Sequence, residues 1–148
     1  MLAQVTIIEP SSPDELDQYY RLRWKILRAP WNRPPGSERD PLDKRSTHVM
    51  AVTSAHELLG VGRLHFNSIS EGQVRYMAVA IDHQRSGIGT LILETLETRA
   101  RQLGAASIVL DARETAIGFY RKRGYQPTGP GHMLFRQIAH VHMCKRIS

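Results

Sequence analysis

The chain has 148 residues, with 20 Lys+Arg against 14 Asp+Glu and seven His, which gives a formal net charge of +6. Its 41% hydrophobic and 23% charged composition excludes disordered and fibrous classes, and the single cysteine, Cys144, excludes an intramolecular disulfide framework and a Cys-cluster zinc site. No apolar run approaches the roughly 18 residues of a membrane span, and Met1-Leu2-Ala3-Gln4-Val5 lacks a basic and apolar leader, so no membrane partner and a cytoplasmic location are expected.

Val5-Thr6-Ile7-Ile8 reads as a short strand by its β-branched content. Ser12-Pro13-Asp14-Glu15 predicts a helix start, with Ser12 as cap, Pro13 at the first helical position and Glu15 completing a capping box. Leu16, Tyr19, Tyr20, Ile26 and Leu27 follow at helical spacing until Pro30. Residues 29–43 hold four Pro and one Gly and read as a loop of a length that often serves function. His48 to Val52 and Leu58 to Phe66 predict a hairpin through Ser54-Ala55-His56-Glu57. With a third strand over Gln73 to Ile81 they make an antiparallel meander. The period then changes. Ile88, Leu91, Ile92, Leu96, Ala100 and Leu103 share one helical face. Glu94, Glu97, Thr98, Arg101 and Gln102 lie opposite, which predicts a Glu97–Arg101 pair, and Gly104 stops the helix. Ser107 to Leu110 suits a central strand and Thr115 to Lys122 a short helix closed by Gly124. The tail beyond Tyr125 holds one or two strands, clearest at Val141-His142-Met143. With no repeat or linker, one domain over residues 1–148 is expected.

The segment richest in chemistry is Gln84-Arg85-Ser86-Gly87-Ile88-Gly89-Thr90, placed between a strand and an amphipathic helix. Two glycines two apart let backbone approach a bound group, and the first N–H groups of a helix lack partners within it, which together suit phosphate. Arg85 adds charge and Thr90 a hydroxyl. A P-loop is excluded because no Gly-Lys-Ser/Thr follows four spacers. A dinucleotide fingerprint is excluded because position 92 is Ile92 and no βαβ start precedes it.

Gln84-x-x-Gly87-x-Gly89 resembles the pyrophosphate loop of the GNAT-type N-acetyltransferases, whose signature is Gln/Arg-x-x-Gly-x-Gly/Ala. Val74-Arg75-Tyr76-Met77-Ala78-Val79 is similar to that family's fourth strand. Ala116-x-x-Phe119-Tyr120-x-x-x-Gly124-Tyr125 is similar to its Ala-x-x-Phe-Tyr-x-x-x-Gly-Phe segment, and the element order also matches. The resemblance implies an α/β fold of the mixed α+β kind: a mostly antiparallel sheet splayed between its fourth and fifth strands, with helices on both faces. It implies acetyl-CoA as co-substrate and a small-molecule or peptide amine as acceptor, attacked directly in a ternary complex. Met77, Ala78 and Val79 would pair with pantetheine amides as an added strand does, with the Val79 N–H or a neighbour polarising the thioester carbonyl. The loop residues Gln84, Arg85, Ser86, Gly87, Ile88, Gly89 and Thr90, together with Phe119, would hold the rest of the cofactor. Tyr120 would donate to the leaving sulfur, although packing as an amphipathic core residue is its plainer reading. Where many relatives carry an Asn this chain has Arg113, read as a salt-bridging or cofactor-phosphate residue. Arg121-Lys122-Arg123 is read first as a solvated helix end complementing the helix dipole and second as a holder of CoA phosphates.

A base must relieve the acceptor ammonium, and Glu38, His48 and His65 are the candidates. Each taken singly is more simply a surface Glu or a hydrogen-bonded strand His. His140-x-His142 with His132 lacks the accompanying ligand spacing of a metal site, so no metal is expected. Cys144 lacks a nucleophile motif and is read as a buried structural thiol. A non-catalytic acyl-CoA-binding sensor on the same fold is the alternative. A nucleic-acid partner is not expected, because the basic residues are dispersed and no binding motif accompanies them. Trp31 either anchors an acceptor or packs the loop, and homodimers are common in the family resembled.

Overall fold

A computed structural model of the protein describes residues 4–148, so the leader reading at Met1 to Ala3 lies outside the described residues. In chain order the elements are β1 (Val5–Ile8), α1 (Pro13–Leu27), β2 (Thr47–Thr53), β3 (Leu58–Phe66), β4 (Glu71–Val79), α2 (Ile88–Gln102), β5 (Ser107–Arg113), α3 (Ile117–Lys122), β6 (Gln126–Leu134) and β7 (Ile138–Arg146). The strands form one sheet in the order β1-β2-β3-β4-β5-β7-β6. It is antiparallel throughout except for β4 and β5, which run parallel. This is the mixed sheet, splayed between its fourth and fifth strands, that the resemblance implies. Among the described residues no helix is long and apolar enough to cross a membrane.

Local rules set several boundaries. The Ser12–Glu15 capping box forms at the head of α1 with Pro13 in the first turn. The segment read as loop carries two short 3-10 turns, Ala29–Trp31 and Pro41–Arg45, the second capped by Asp40. The tail forms two nine-residue strands, β6 and β7. β6 tolerates Pro127 and Pro130 because it is the edge strand. The expected Glu97–Arg101 surface pair is corrected: Glu97 is buried, accepts from the Tyr125 hydroxyl at 2.9 Å and binds Lys145 Nζ at 3.1 Å. Helical spacing placed it on the outer face, but β7 and Tyr125 cover that side and bring a cation to it. Cys144 is a free, half-buried thiol rather than a buried one.

α2 buries Ile88, Ile92, Leu93, Leu96 and Ala100 against one face of the sheet, in a cluster that includes Val49, Leu64, Val74 and Ile108. α1 covers the other face, where Tyr19 packs with Met50, Val52, Val61 and Ala78. Val74 and Ala78 share β4 and the same parity, yet they face opposite helices. A bulge makes this possible. From Val61↔Ala78 to Arg63↔Arg75, β3 advances two residues while β4 advances three, and Tyr76 takes a left-handed φ of 56°.

A polar network fills the α1 side of the sheet. Arg23 and Arg63 are both 0% exposed. Arg23 binds the Asp43 carboxylate at 3.0 Å, the Glu38 carbonyl at 3.1 Å and the Tyr19 hydroxyl at 2.9 Å. Arg63 binds Asp40 at 2.6 Å and Asp43 at 2.9 Å. His48 lies between the Tyr19 hydroxyl and the Asp43 carbonyl, each at 2.7 Å. Burial alone would raise the Asp40 and Asp43 pKa values. For Asp40 the Arg63 bond, and for Asp43 the Asp40 backbone N–H with both arginines, outweigh it and hold the carboxyls below their ordinary range. His48 and His65 are pushed down, chiefly by burial.

All four groups therefore bind protons more readily in the unfolded chain, so their stabilisation is complete above the unfolded pKa values and is lost as pH falls. The melting temperature is expected to drop first as pH falls below about 6.5, through the imidazoles, and again below about 4, through the carboxyls. Calorimetric melting from pH 8 to 3 checks this, and a flat profile down to pH 5 contradicts the histidine assignment.

Candidate functional site

β4 and β5 pair only over Glu71–Gln73 and Ser107–Val109, and beyond that ladder they part. The gap is a cleft of about 580 Å³, within the range of small-molecule sites. Main-chain groups of β4 beyond Gln73 face it without strand partners on that side, so an extended ligand can complete the ladder as an added strand does.

One end of the cleft is the N-terminus of α2. Gly87 caps it with a φ of 91°, a conformation that side chains strain to adopt. The unpartnered N–H groups of the first turn therefore open toward the cleft beside a residue that adds no bulk. Gln84 Nε2 donates to the Val79 carbonyl at 3.1 Å and ties the loop to β4. A Cβ on Gly89 would come within 3.3 Å of the Phe119 ring, so glycine lets α3 sit against α2. Arg123 donates to Thr90 Oγ1 at 2.8 Å through Nε and to the Phe119 carbonyl at 2.8 Å, and its guanidinium lies 3.9 Å over the Phe119 ring. The solvated-end reading is thus corrected for Arg123, whose stem reaches back across α3 to α2.

Of the residues named from sequence, Met77, Ala78 and Val79 line the cleft from β4, and Gln84, Arg85, Gly87, Gly89 and Thr90 from the loop and α2. Arg113, Phe119 and Tyr120 line it from β5 and α3. Ser86 is exposed with its hydroxyl on the His83 carbonyl, and the Ile88 side chain is buried under α2. Tyr120 places its hydroxyl 3.7 Å from Met77 Sδ, and burial pushes the phenol up to about 12. The three base candidates do not line the cleft. Glu38 is 3% exposed and accepts from the Gly36 N–H at 2.7 Å and Arg39 Nε at 3.2 Å, which braces its loop. His65 is held by Arg63 Nη2 at 3.0 Å and Asn67 Oδ1 at 3.2 Å, and His48 belongs to the network beneath α1.

The other end of the cleft holds Arg28, Arg75, Tyr76, Asp111, His132 and His140, none assigned to a cofactor or acceptor site from sequence. Asp111 accepts from His142 Nδ1 at 2.7 Å and His132 Nδ1 at 3.2 Å. Burial pushes its carboxyl up, but these bonds prevail and lower it. His140 stacks on His132 with ring centres 4.2 Å apart. Its Nδ1 meets the carbonyls of His132 at 3.1 Å and Ile138 at 3.0 Å. A nitrogen facing two acceptors carries the proton, which leaves Nε2 with the lone pair. Burial and His132 lower the His140 pKa and keep the ring neutral. The position of Arg28, immediately after the last apolar residue of α1, is the one local mark of this end in the sequence; Arg113, His132 and His140 come together only through the pairing of β5, β6 and β7. Among the described residues, no group of three His, Cys, Asp or Glu is arranged to hold a metal.

A family model described as "Acetyltransferase (GNAT) family" matches residues 16–125. The uncharacterised N-acetyltransferase YjcF of Bacillus subtilis (strain 168) is 28% identical over 132 residues, covering 89% of this chain and 93% of that protein. An aminoglycoside 6'-N-acetyltransferase solved in complex with coenzyme A superposes with a TM-score of 0.79 at 18% identity, over 97% of both chains. An acyl-CoA N-acyltransferase from Pseudomonas aeruginosa does so with a TM-score of 0.79 at 20% identity, over 96% of this chain and 98% of that one. The structural likenesses establish the shared fold.

Proposed function

This chain belongs to the GNAT acetyltransferase family, and from that premise we propose that it transfers an acetyl group from acetyl-CoA to a primary amine by direct attack in a ternary complex. The observation that carries the reading is the parting of β4 from β5 after three paired residues, beside an α2 N-terminus capped by Gly87. Coenzyme A has the matching chemistry: an amide-bearing arm for the β4 edge and a pyrophosphate for the helix end. Arg85 and Arg123 supply positive charge at that phosphate end.

In the reaction the amine nitrogen attacks the thioester carbon, the C–N bond forms and the C–S bond breaks. A β4 main-chain N–H near Val79 stabilises the oxyanion. Tyr120 hydrogen-bonds the departing sulfur and delivers its proton. The burial that raises the phenol also penalises a bare thiolate there, so the two pKa values move together. His140 takes a proton from the incoming amine at Nε2, and both residues then exchange protons with solvent. This assigns the base to His140 in place of Glu38, His48 and His65, which lie away from the cleft lining.

Gly87→Val is expected to abolish measurable acetyl-CoA binding in calorimetry while the melting transition stays cooperative, and unchanged affinity would refute the placement of the pyrophosphate. Tyr120→Phe is expected to lower kcat about a hundredfold with little change in KM for acetyl-CoA. Wild-type kcat/KM should fall on the acid side below pH 6.5, because a depressed imidazole pKa keeps the base competent at neutrality. His140→Gln should remove that limb and slow turnover about a hundredfold. An acid limb that survives His140→Gln would assign the base elsewhere.

A further inference from the structure

The cleft is lined by five arginines, Arg28, Arg75, Arg85, Arg113 and Arg123, and by one carboxylate, Asp111, which is already bonded to His142 and His132. Arg85 and Arg123 lie at the α2 end and answer the cofactor phosphates. The other three sit at the opposite end. Arg75 lies before the Tyr76 bulge of β4, and Val79, to which the Gln84 side chain ties the loop, lies after it, so the two cationic groups address different parts of the cleft.

The compensation of these three guanidiniums is incomplete. Arg28 is 5% exposed and uses Nε on the Ser37 carbonyl and Nη1 on the Leu27 carbonyl, each at 3.0 Å, with no carboxylate partner among the described residues. Arg113 is half-buried and makes no side-chain hydrogen bond or ion pair among the described residues. Arg75 reaches Asp40 at 3.5 Å, a carboxylate that Arg63 already holds at 2.6 Å. Burial lowers the Arg28 pKa, and the charges of Arg75 and Arg113 lower it further, so each of the two lies within electrostatic reach of Arg28. Phe135 of the β6–β7 turn closes over this end, with Arg28 5.3 Å and Arg33 4.0 Å from its ring centre. Arg28 and Arg113 are drawn from water without a carboxylate partner, which is unfavourable, and an anion placed between them removes that penalty; Arg75, more exposed and already on Asp40, adds its charge from beside them.

We infer that the acceptor amine carries an anionic group, a carboxylate or a phosphate, seated by Arg28 and Arg113 with Arg75 beside them. The inference rests on the transferase reading and names its substrate class. Arg113 then serves the acceptor rather than the cofactor phosphate first suggested by sequence. The geometry suits bidentate recognition, since a guanidinium fork matches both oxyanions. It also gives the nucleophile a fixed direction: an anion held at the arginines leaves the amine to project toward His140 and the β4 edge.

The test uses the full chain and matched amines that differ by one charge: amino acids against their carboxamides, and glucosamine 6-phosphate against glucosamine. Calorimetry first establishes acetyl-CoA binding, and the amines are then titrated into the CoA-saturated protein and assayed for CoA release with acetyl-CoA. The anionic member of at least one pair is expected to bind and react about tenfold or more better than its uncharged partner. The two pairs separate carboxylate from phosphate. Arg113→Met, which breaks no bond among the described residues, should raise KM for that anionic amine about tenfold and leave KM for acetyl-CoA in place. Equal or weaker binding and turnover of both anionic members overturns the inference, as does a rise in KM for acetyl-CoA in place of the amine. If acetyl-CoA itself does not bind, the transferase reading fails and this inference falls with it.

Discussion

β4 must leave β5 after Gln73, and everything the cleft offers depends on that divergence. Two parallel strands in register would satisfy each other's backbone groups and leave no room for a ligand. The extra residue at Tyr76 turns β4 over between Val74 and Ala78. A bulge bends its strand and sharpens the local twist, and here both effects carry β4 away from β5. A tyrosine with a φ of 56° is strained, so the surroundings must over-determine it. Three guanidiniums do so: Arg23 at 4.3 Å, Arg75 at 4.5 Å and Arg63 at 4.9 Å from the ring centre, while the hydroxyl donates to Asp40 at 3.3 Å.

That scaffold also explains why two arginines are fully buried in a chain of ordinary size. Buried ion pairs contribute little net stability, because desolvating both partners offsets their attraction, but losing one partner is strongly destabilising. Their role is to specify one arrangement. Arg23 from α1 and Arg63 from β3 meet at Asp43, and Asp40 ties Arg63 to Arg75 and Tyr76. The segment between α1 and β2 is thereby locked against the bulge it protects. The same segment carries Ser37, whose carbonyl accepts from Arg28 Nε and so fixes a guanidinium that lines the cleft.

How far these features were legible in sequence follows from the range of the interactions behind them. The Ser12–Glu15 box and the strand Leu58–Phe66 depend on neighbours within a few residues, and the structure has them as read. On α2 the periodicity found Ile88, Ile92, Leu96 and Ala100, but Leu103 is exposed and Leu91 half-buried, while Leu93 joins the core in their place. Gly87 was legible because its backbone conformation selects glycine. The Tyr76 bulge was not, since no residue type marks a bulge formed by a tyrosine. Arg23 shares the α1 face with Tyr19, four residues away, yet its partner Asp43 is twenty residues along and only the folded sheet brings them together. Glu97 misled for the same reason: helical periodicity assigns a face but not what a distant strand places over it. Part of the chain's positive excess does have a location: Arg28, Arg75, Arg85, Arg113 and Arg123 all line the cleft.

The proposal that the unpaired β4 edge and the α2 N-terminus together receive acyl-CoA is tested at residue level by amide hydrogen exchange with and without acetyl-CoA. Slowed exchange is expected in residues 74–79 and 87–91, with β1 and β2 unchanged. Saturating acetyl-CoA that leaves both segments exchanging at their ligand-free rates would contradict it.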